Sequence, residues 1–174
     1  MKLEKGKILI YGYGNPGRQD DGLGNLFVEE MQKWAEENNL DYLDFDSNYQ
    51  LNIEDSERIS DKEIVIFADA SVEKIEEYCL TKVFPEPNQI EFTMHAVSPA
   101  FIAKLTNDLF KKMPAIYLMH LKGYEFDFKE GISENASKNL NNALNLLKLL
   151  LSVNDLSKVF FNLERACLTL NCYN

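Results

Sequence analysis

At three places in the chain, side chains that can bind a metal follow immediately after a predicted strand. Asp20 and Asp21 follow an apolar run that begins at Ile8, Asp69 ends a second such run, and His95 follows a third. The carboxyl ends of parallel strands share one edge of a sheet, and ligands gather there at the switch point. Carboxylates and one imidazole suit a borderline divalent metal such as Zn²⁺ or Ni²⁺, and three protein ligands leave room for a water or a substrate group.

Each of these residues also has a purely structural interpretation. An aspartate at a helix start commonly caps orphan N–H groups, but one cap suffices, so capping does not explain both Asp20 and Asp21. Asp69 alone is typical of a loop-capping aspartate, and His95 alone of a structural histidine. The other histidine, His120, lies inside a predicted strand, and we interpret it as structural. The convergence of three positions on one edge, the aspartate pair Asp20 and Asp21, Asp69 and His95, is what favours a metal site.

The turn after the first strand also matches the dinucleotide-binding fingerprint, because residues 12–17 read GxGxxG. Pro16 removes a backbone N–H where a phosphate needs donors, and the paired aspartates put negative charge at the helix N-terminus that would receive the pyrophosphate. The ribose-binding acid has no clean counterpart, since Asp44 and Asp46 come later than expected. The context argues against a Rossmann-like nucleotide-binding module, which is kept as an alternative.

The hydrophobic pattern predicts strands and helices in alternation. Strands are predicted over residues 8–11, 42–45, 63–69, 78–84, 90–94 and 115–121. Helices are predicted from residue 23 to about residue 39, from residue 98 to Pro114, and from Ser133 onward. This alternation indicates a three-layer α/β/α fold with a mostly parallel, twisted central sheet of about five strands flanked by helices. We expect a single domain over residues 1–153 and a C-terminal extension of unclear structure over residues 154–174.

The composition and charge of the chain limit the cellular compartment and the kinds of partner that we expect. The 174 residues carry a formal net charge of -10. A surface this acidic repels nucleic acid and anionic lipid, and no apolar run reaches the ~18 residues of a membrane span, so we expect neither nucleic-acid binding nor membrane insertion. The three cysteines, Cys79, Cys167 and Cys172, form no CxxC pair. This pattern is typical of neither a disulfide framework nor a thiolate metal site; we expect a cytoplasmic protein with its cysteines away from the edge that holds Asp21.

Taken together, these motifs resemble those of the hydrogenase maturation endopeptidases, which process the large subunit of nickel–iron hydrogenases. Residues 12–24 match the opening signature GxGNxxxxD(D/E)GxG, residues 65–70 match a strand that ends in a metal-contacting aspartate, and residues 93–99 match a third motif that carries a histidine. A downstream element matches as well, at residues 123–133. The resemblance extends over roughly residues 7–150.

The resemblance implies that Asp21, Asp69 and His95 occupy the three metal-contact positions and serve catalysis, while Asp20 shapes the loop. It implies a metal-dependent endopeptidase that removes the C-terminal extension of a nickel-loaded large-subunit precursor. In this hypothesis the three residues recognise nickel supplied by the substrate, no cofactor is permanently bound, and the protein is a monomer. The alternatives are a self-sufficient zinc hydrolase with the same ligands and an inactive member that acts only as a binding partner.

Overall fold

The computed structural model describes residues 2–86, 97–170 and 172. Its strands are β1 (Ile8–Tyr13), β2 (Leu43–Asn48), β3 (Ile64–Ser71), β4 (Tyr78–Val83) and β5 (Ala115–Lys122). Its helices are α1 (Leu23–Glu37), α2 (Asp55–Arg58), α3 (Pro99–Phe110), α4 (Glu134–Leu151) and α5 (Leu156–Thr169), and a 3₁₀ turn, Gln19–Gly22, precedes α1. The strand predicted over residues 90–94 lies outside the described residues.

The described strands form one five-stranded sheet in the order β2-β1-β3-β5-β4. Every neighbouring pair is parallel except β4 and β5, which are antiparallel. Helices α1, α4 and α5 pack on one face of this sheet, and α2 and α3 pack on the other. The predicted three-layer α/β fold with a mostly parallel sheet is therefore confirmed.

The central strands are apolar on both faces because both faces are covered. Ile8 and Ile10 point into the layer that holds α1 and α4, whereas Leu9 and Tyr11 point into the layer that holds α3. All four are at most 1% exposed. A strand buried in this way reads as a continuous hydrophobic run, which is why β1 was recognisable from sequence.

The helix starts follow the predicted capping residues. Ser98 Oγ accepts a hydrogen bond from the N–H of Phe101, with proline at the first helical position, and Ser133 Oγ caps α4 in the same way. Helical spacing in the sequence predicts Phe101, Ile102, Leu105 and Leu109 as the inner face of α3, and this is wrong for Leu109, which is 66% exposed. Ile102 and Thr106 are buried. Thr106 can lie there because its hydroxyl donates to backbone carbonyls.

The C-terminal region is a helix joined to the sheet. Apolar residues of α5, including Leu156, Val159 and Leu163, are buried in the same core as α4, although the division at residue 153 stays a prediction. Cys79 of β4 forms a disulfide with Cys172, so the expectation that the cysteines form no disulfide is wrong. The two cysteines are separated by 93 positions in the sequence, so no local pattern indicates this pairing. Of the described helices, none combines the length and apolar character needed to cross a membrane.

Candidate functional site

The topology places a switch point at the carboxyl ends of β1 and β3. From β1 the chain passes to β2 on one side, and it then returns to β3 on the other side of β1. Tyr13 is the last residue of β1, Asp69 lies two residues from the end of β3, and the 3₁₀ turn with Asp20 and Asp21 follows β1. This is where open α/β sheets bind ligands, so two of the predicted site residues come from the two strands that flank the switch point.

Glycines allow the start of α1 to rest directly on these strand ends. A Cβ atom added to Gly24 would lie 2.4 Å from the carbonyl oxygen of Ala68 and 2.5 Å from that of Tyr13. A Cβ added to Gly12 would lie 2.0 Å from the carbonyl oxygen of Gly24. No side chain fits in these positions without movement of the backbone. The close approach holds Asp21, three residues before Gly24, at the switch point.

The glycine-rich turn has no free backbone donors for a phosphate. From residue 14 to residue 21, every N–H has an acceptor in the chain at 2.9–3.2 Å, and Pro16 has no N–H. The acceptors in chain order are Asn48 O, Asp21 Oδ2, Asn15 Oδ1, Asn15 O, Lys129 O, Glu125 O and Arg18 O. A phosphate-binding loop needs such groups directed at the ligand, so this geometry counts against the nucleotide-binding alternative.

The acidic residues of β2 also have partners that are incompatible with ribose binding. Asp44 accepts from both Arg58 and Lys62 at 2.9 Å, and Asp46 accepts from Arg58 at 2.9 Å. Burial raises the pKa of Asp44, but the two cations outweigh it and lower that pKa to about 2. These carboxylates hold α2 and its following turn against β2, and neither is left for a nucleotide.

Asp20 is fully buried and acts as a structural centre for two loops. Its carboxylate accepts from the backbone N–H groups of Tyr124, Glu125 and Ser133 at 2.7–3.0 Å, and from the Ser133 hydroxyl at 2.7 Å. Burial raises the pKa of Asp20, but these hydrogen bonds outweigh burial and lower it overall. With all four donors directed at it, Asp20 shapes the loop and is not available to a metal.

The contacts of Asp20 also explain why residues 123–133 belong to the same sequence pattern as the glycine-rich turn. A Cβ on Gly123 would lie 3.0 Å from Cβ of Asp20 and 2.7 Å from the Phe126 ring, so glycine is required for the loop to close around the carboxylate. Ser133 both binds Asp20 and caps α4. The two sequence motifs are therefore the two halves of one packed structure.

Asp69 has the properties of a reactive carboxyl group. Burial is the largest influence on its pKa and raises it, the charge of Asp21 raises it further, and hydrogen bonds from Tyr13 and the Ala70 N–H lower it in part. The resulting pKa is about 7. Asp69 therefore exchanges a proton near neutral pH, which is the condition that favours acid–base chemistry.

The pair formed by Asp21 and Asp69 is suited to a cation. Two carboxyl groups that interact across one site disfavour each other's charge, and a divalent ion between them removes that repulsion. Asp21 Oδ2 accepts a hydrogen bond from the N–H of Asn15 at 3.2 Å, which orients it. His95, the third predicted ligand, lies outside the described residues, so the complete set stays a prediction.

Two residues that sequence reasoning did not assign to the site lie beside Asp69. Tyr13 donates a hydrogen bond to the Asp69 carboxylate, and burial followed by the Asp69 charge raises the Tyr13 pKa. His120 is the register partner of Asp69 on β5. The alternation along β1 places Tyr11 and Tyr13 on the face toward α3, but only the β1–β3 register reveals that Tyr13 meets Asp69.

Comparison with known proteins places these residues in context. No family model matches the chain. The chain is 26% identical over 155 residues to a Methanocaldococcus jannaschii protein provisionally named as a hydrogenase maturation protease, and the match covers 83% of this chain and 96% of that protein.

Solved structures agree in fold. The NiFe hydrogenase maturation protease HycI from Thermococcus kodakarensis superimposes with a TM-score of 0.64 at 21% identity, covering 86% of this chain and 94% of that one. The hydrogenase maturating endopeptidase HybD from E. coli gives a TM-score of 0.59 at 17% identity, covering 83% and 91%. At these identities the structural matches establish the shared fold.

Proposed function

We propose that the chain is a hydrogenase maturation endopeptidase that removes the C-terminal extension of a nickel-loaded hydrogenase large-subunit precursor, since it is 26% identical to a protein provisionally named as a hydrogenase maturation protease and shares the fold of solved proteases of that kind. Asp21, Asp69 and His95 contact the nickel that the precursor carries. The protein supplies the ligands, and the substrate supplies the metal. Cleavage is then confined to precursors that have received their nickel.

The observation that carries this proposal is the carboxyl pair at the switch point. Asp69 has a pKa of about 7 and lies within the electrostatic influence of Asp21. Near neutral pH the free site therefore retains a proton for part of the time. A divalent ion favours the charged carboxylate and displaces that proton, so recognition of nickel strengthens as the pH rises through about 7.

The bound nickel positions the peptide bond that is cut. The ion that the substrate brings polarises a water molecule or the scissile carbonyl. A carboxylate of the site accepts the proton of the attacking water and returns it to the leaving amine. Asp21 and Asp69 are the candidates for this role, because they are the carboxylates proposed to contact the nickel. Tyr13 is a positioning residue, since its hydroxyl fixes the orientation of the Asp69 carboxylate.

The test compares Asp-to-Asn substitutions of the two site carboxylates with an Asp-to-Asn substitution at an exposed position outside the site. Asp21→Asn and Asp69→Asn are expected to lower the rate of precursor cleavage at least about 100-fold, the usual minimum for loss of a positioned acid–base group. Asp41→Asn is the matched control, because Asp41 is exposed and precedes the amino end of β2. Cleavage is measured by mass spectrometry of purified, nickel-loaded precursor. Rates for Asp21→Asn and Asp69→Asn within a few-fold of the control would overturn the assignment.

A further inference from the structure

A second group of side chains that can bind a metal lies at β4 and β5, on the side of the sheet opposite to β2. Sγ of Cys79, Sγ of Cys172 and a ring nitrogen of His120 all lie within 4.8 Å of one another. Cys79 and His120 are direct register partners in the antiparallel β4–β5 pair. The expectation that the cysteines lie away from the strand ends near Asp21 is wrong for Cys79. Cys79 on β4 pairs with His120 on β5, and His120 pairs with Asp69 on β3, so Cys79 lies at the same level of the sheet as Asp69.

The helix that precedes Cys172, α5, is held on the sheet by contacts that do not involve the disulfide. Leu156, Val159 and Leu163 are buried against the core. Glu164 Oε1 accepts from the Tyr117 hydroxyl at 2.6 Å and from Lys82 Nζ at 2.7 Å, which ties α5 to β5 and β4. None of these contacts involves a cysteine sulfur, so we expect α5 to stay on β4 and β5 after reduction.

Two thiolates and an imidazole form a ligand set for a thiophilic divalent ion. Zn²⁺ takes sulfur ligands at about 2.3 Å and imidazole nitrogen at about 2.0–2.1 Å, so the ligand atoms of a tetrahedral site lie about 3.8 Å apart. The Cα atoms of Cys79 and Cys172 are 5.5 Å apart. Both thiolates can therefore reach one ion with a small outward rotation of the sulfurs and little movement of the backbone.

The surroundings of His120 favour ligation. Its Nε2 makes a 2.9 Å hydrogen bond with Thr81 Oγ1, which leaves Nδ1 for a metal. Metal-binding histidines commonly use their second nitrogen in such a bond, which fixes the ring. A cavity of about 310 Å³ is lined by both cysteines.

We propose that the reduced protein binds one Zn²⁺ or similar thiophilic divalent ion through Cys79, Cys172 and Nδ1 of His120. The fourth position is open to a water or to a further ligand. The ion joins the C-terminal segment to β4 as the disulfide does, so the two links are alternatives. This site shares no residue with Asp21, Asp69 and His95, and the inference does not rest on the proposed function.

The disulfide must be reduced before the ion binds, and this reduction proceeds by ordinary thiol–disulfide exchange. A thiolate of a dithiol reductant attacks one sulfur of the Cys79–Cys172 bond and releases the other as a thiolate. The second thiol of the reductant then displaces the remaining protein sulfur. The protein gains two thiols, and the two sulfurs of the reductant become a disulfide. Each cysteine thiol releases its proton when the ion binds.

The test is an anaerobic titration of the reduced, desalted full-length protein with Co²⁺, followed by competition with Zn²⁺. We expect one Co²⁺ per chain, with sulfur-to-cobalt charge-transfer absorption, and its loss on addition of one equivalent of Zn²⁺. Thiolate absorption identifies this site, because a carboxylate site gives none. The oxidised protein is expected to give no such absorption.

Variants separate ligation from incidental thiol binding. Cys79→Ser, Cys172→Ser and His120→Gln are each expected to weaken Zn²⁺ binding by more than the roughly 10–100-fold typical of an outer-shell change. Thr81→Val is expected to weaken it within that range. Cys167→Ser is the matched control, since Cys167 is the free cysteine of α5. Absence of a one-to-one complex in the reduced wild type, or equal affinity in Cys79→Ser and Cys167→Ser, would overturn the proposal.

Discussion

Neutralising Asp69 is predicted to stabilise the fold in a pH-dependent manner. The Asp69→Asn variant keeps an oxygen that accepts from Tyr13, but it removes a charge that the site disfavours. Burial, the largest influence, and the charge of Asp21 together raise the Asp69 pKa from 3.8 to about 7. The folded state of the wild type therefore holds this proton more tightly than the unfolded chain does.

The sign and size of the effect follow from this difference. A group whose pKa is raised in the folded state contributes stability that is complete below the unfolded pKa and is lost as the pH rises through the folded pKa. The full difference corresponds to about 4 kcal/mol, at about 1.4 kcal/mol per pH unit, of which about 3 kcal/mol is lost between pH 5 and pH 8.5. Asp69 is partly exposed, so screening by solvent reduces the expected value to about 1–2 kcal/mol.

The assay is urea denaturation of the wild type and Asp69→Asn at pH 5 and at pH 8.5. The free energy of unfolding of the variant, relative to the wild type, is expected to increase by about 1–2 kcal/mol between these pH values. Taking the difference between the two proteins cancels other titrating groups. A relative stability that does not change with pH, or that falls as pH rises, would refute the interpretation of Asp69 as a carboxyl group with a raised pKa.

Three further predictions concern the framework of the site. Asp20→Asn is expected to lower the free energy of unfolding by about 2–4 kcal/mol at pH 7, because an amide cannot satisfy four buried donors. This loss is expected to shrink as the pH falls through the lowered Asp20 pKa. An unchanged urea midpoint at pH 7 would contradict this role of Asp20. Gly24→Ala is expected to cost about 3 kcal/mol or more by the same assay, since its Cβ would overlap two carbonyl oxygens; wild-type stability would show that α1 is not held on the strand ends. Millimolar NAD, ATP or S-adenosylmethionine is expected to leave the melting temperature unchanged, whereas a saturable increase would revive the nucleotide-binding alternative.

Much of the fold could be predicted from sequence because its signals are local. The strand β1 is marked by its apolar run, and α3 and α4 are marked by Ser98 and Ser133 at their starts. The position of Leu109 could not be predicted in this way. A helix exposes or buries a given residue according to how it is rotated against the sheet, and that rotation depends on distant partners such as Ser56, which bonds Thr106.

The site could be predicted from sequence in so far as its acidic residues lie at or directly after the ends of predicted strands. The family resemblance implies that Asp21 contacts the metal and that Asp20 shapes the loop, and the contacts of Asp20 support the structural role of Asp20. Its donors lie 104–113 residues further along the chain, so no local pattern identifies it as a structural residue. The hydrogen bond from Tyr13 to Asp69 and the Cys79–Cys172 link are likewise invisible until the strand order is known.

The most direct test of the central claim is cleavage of matched precursors by the wild-type protein. Large-subunit precursor is prepared in nickel-loaded and nickel-free forms, and release of the C-terminal peptide is followed by mass spectrometry under identical conditions. If Asp21, Asp69 and His95 recognise nickel carried by the substrate, the loaded form is cut and the nickel-free form is not. Equal cleavage of both forms would contradict the account.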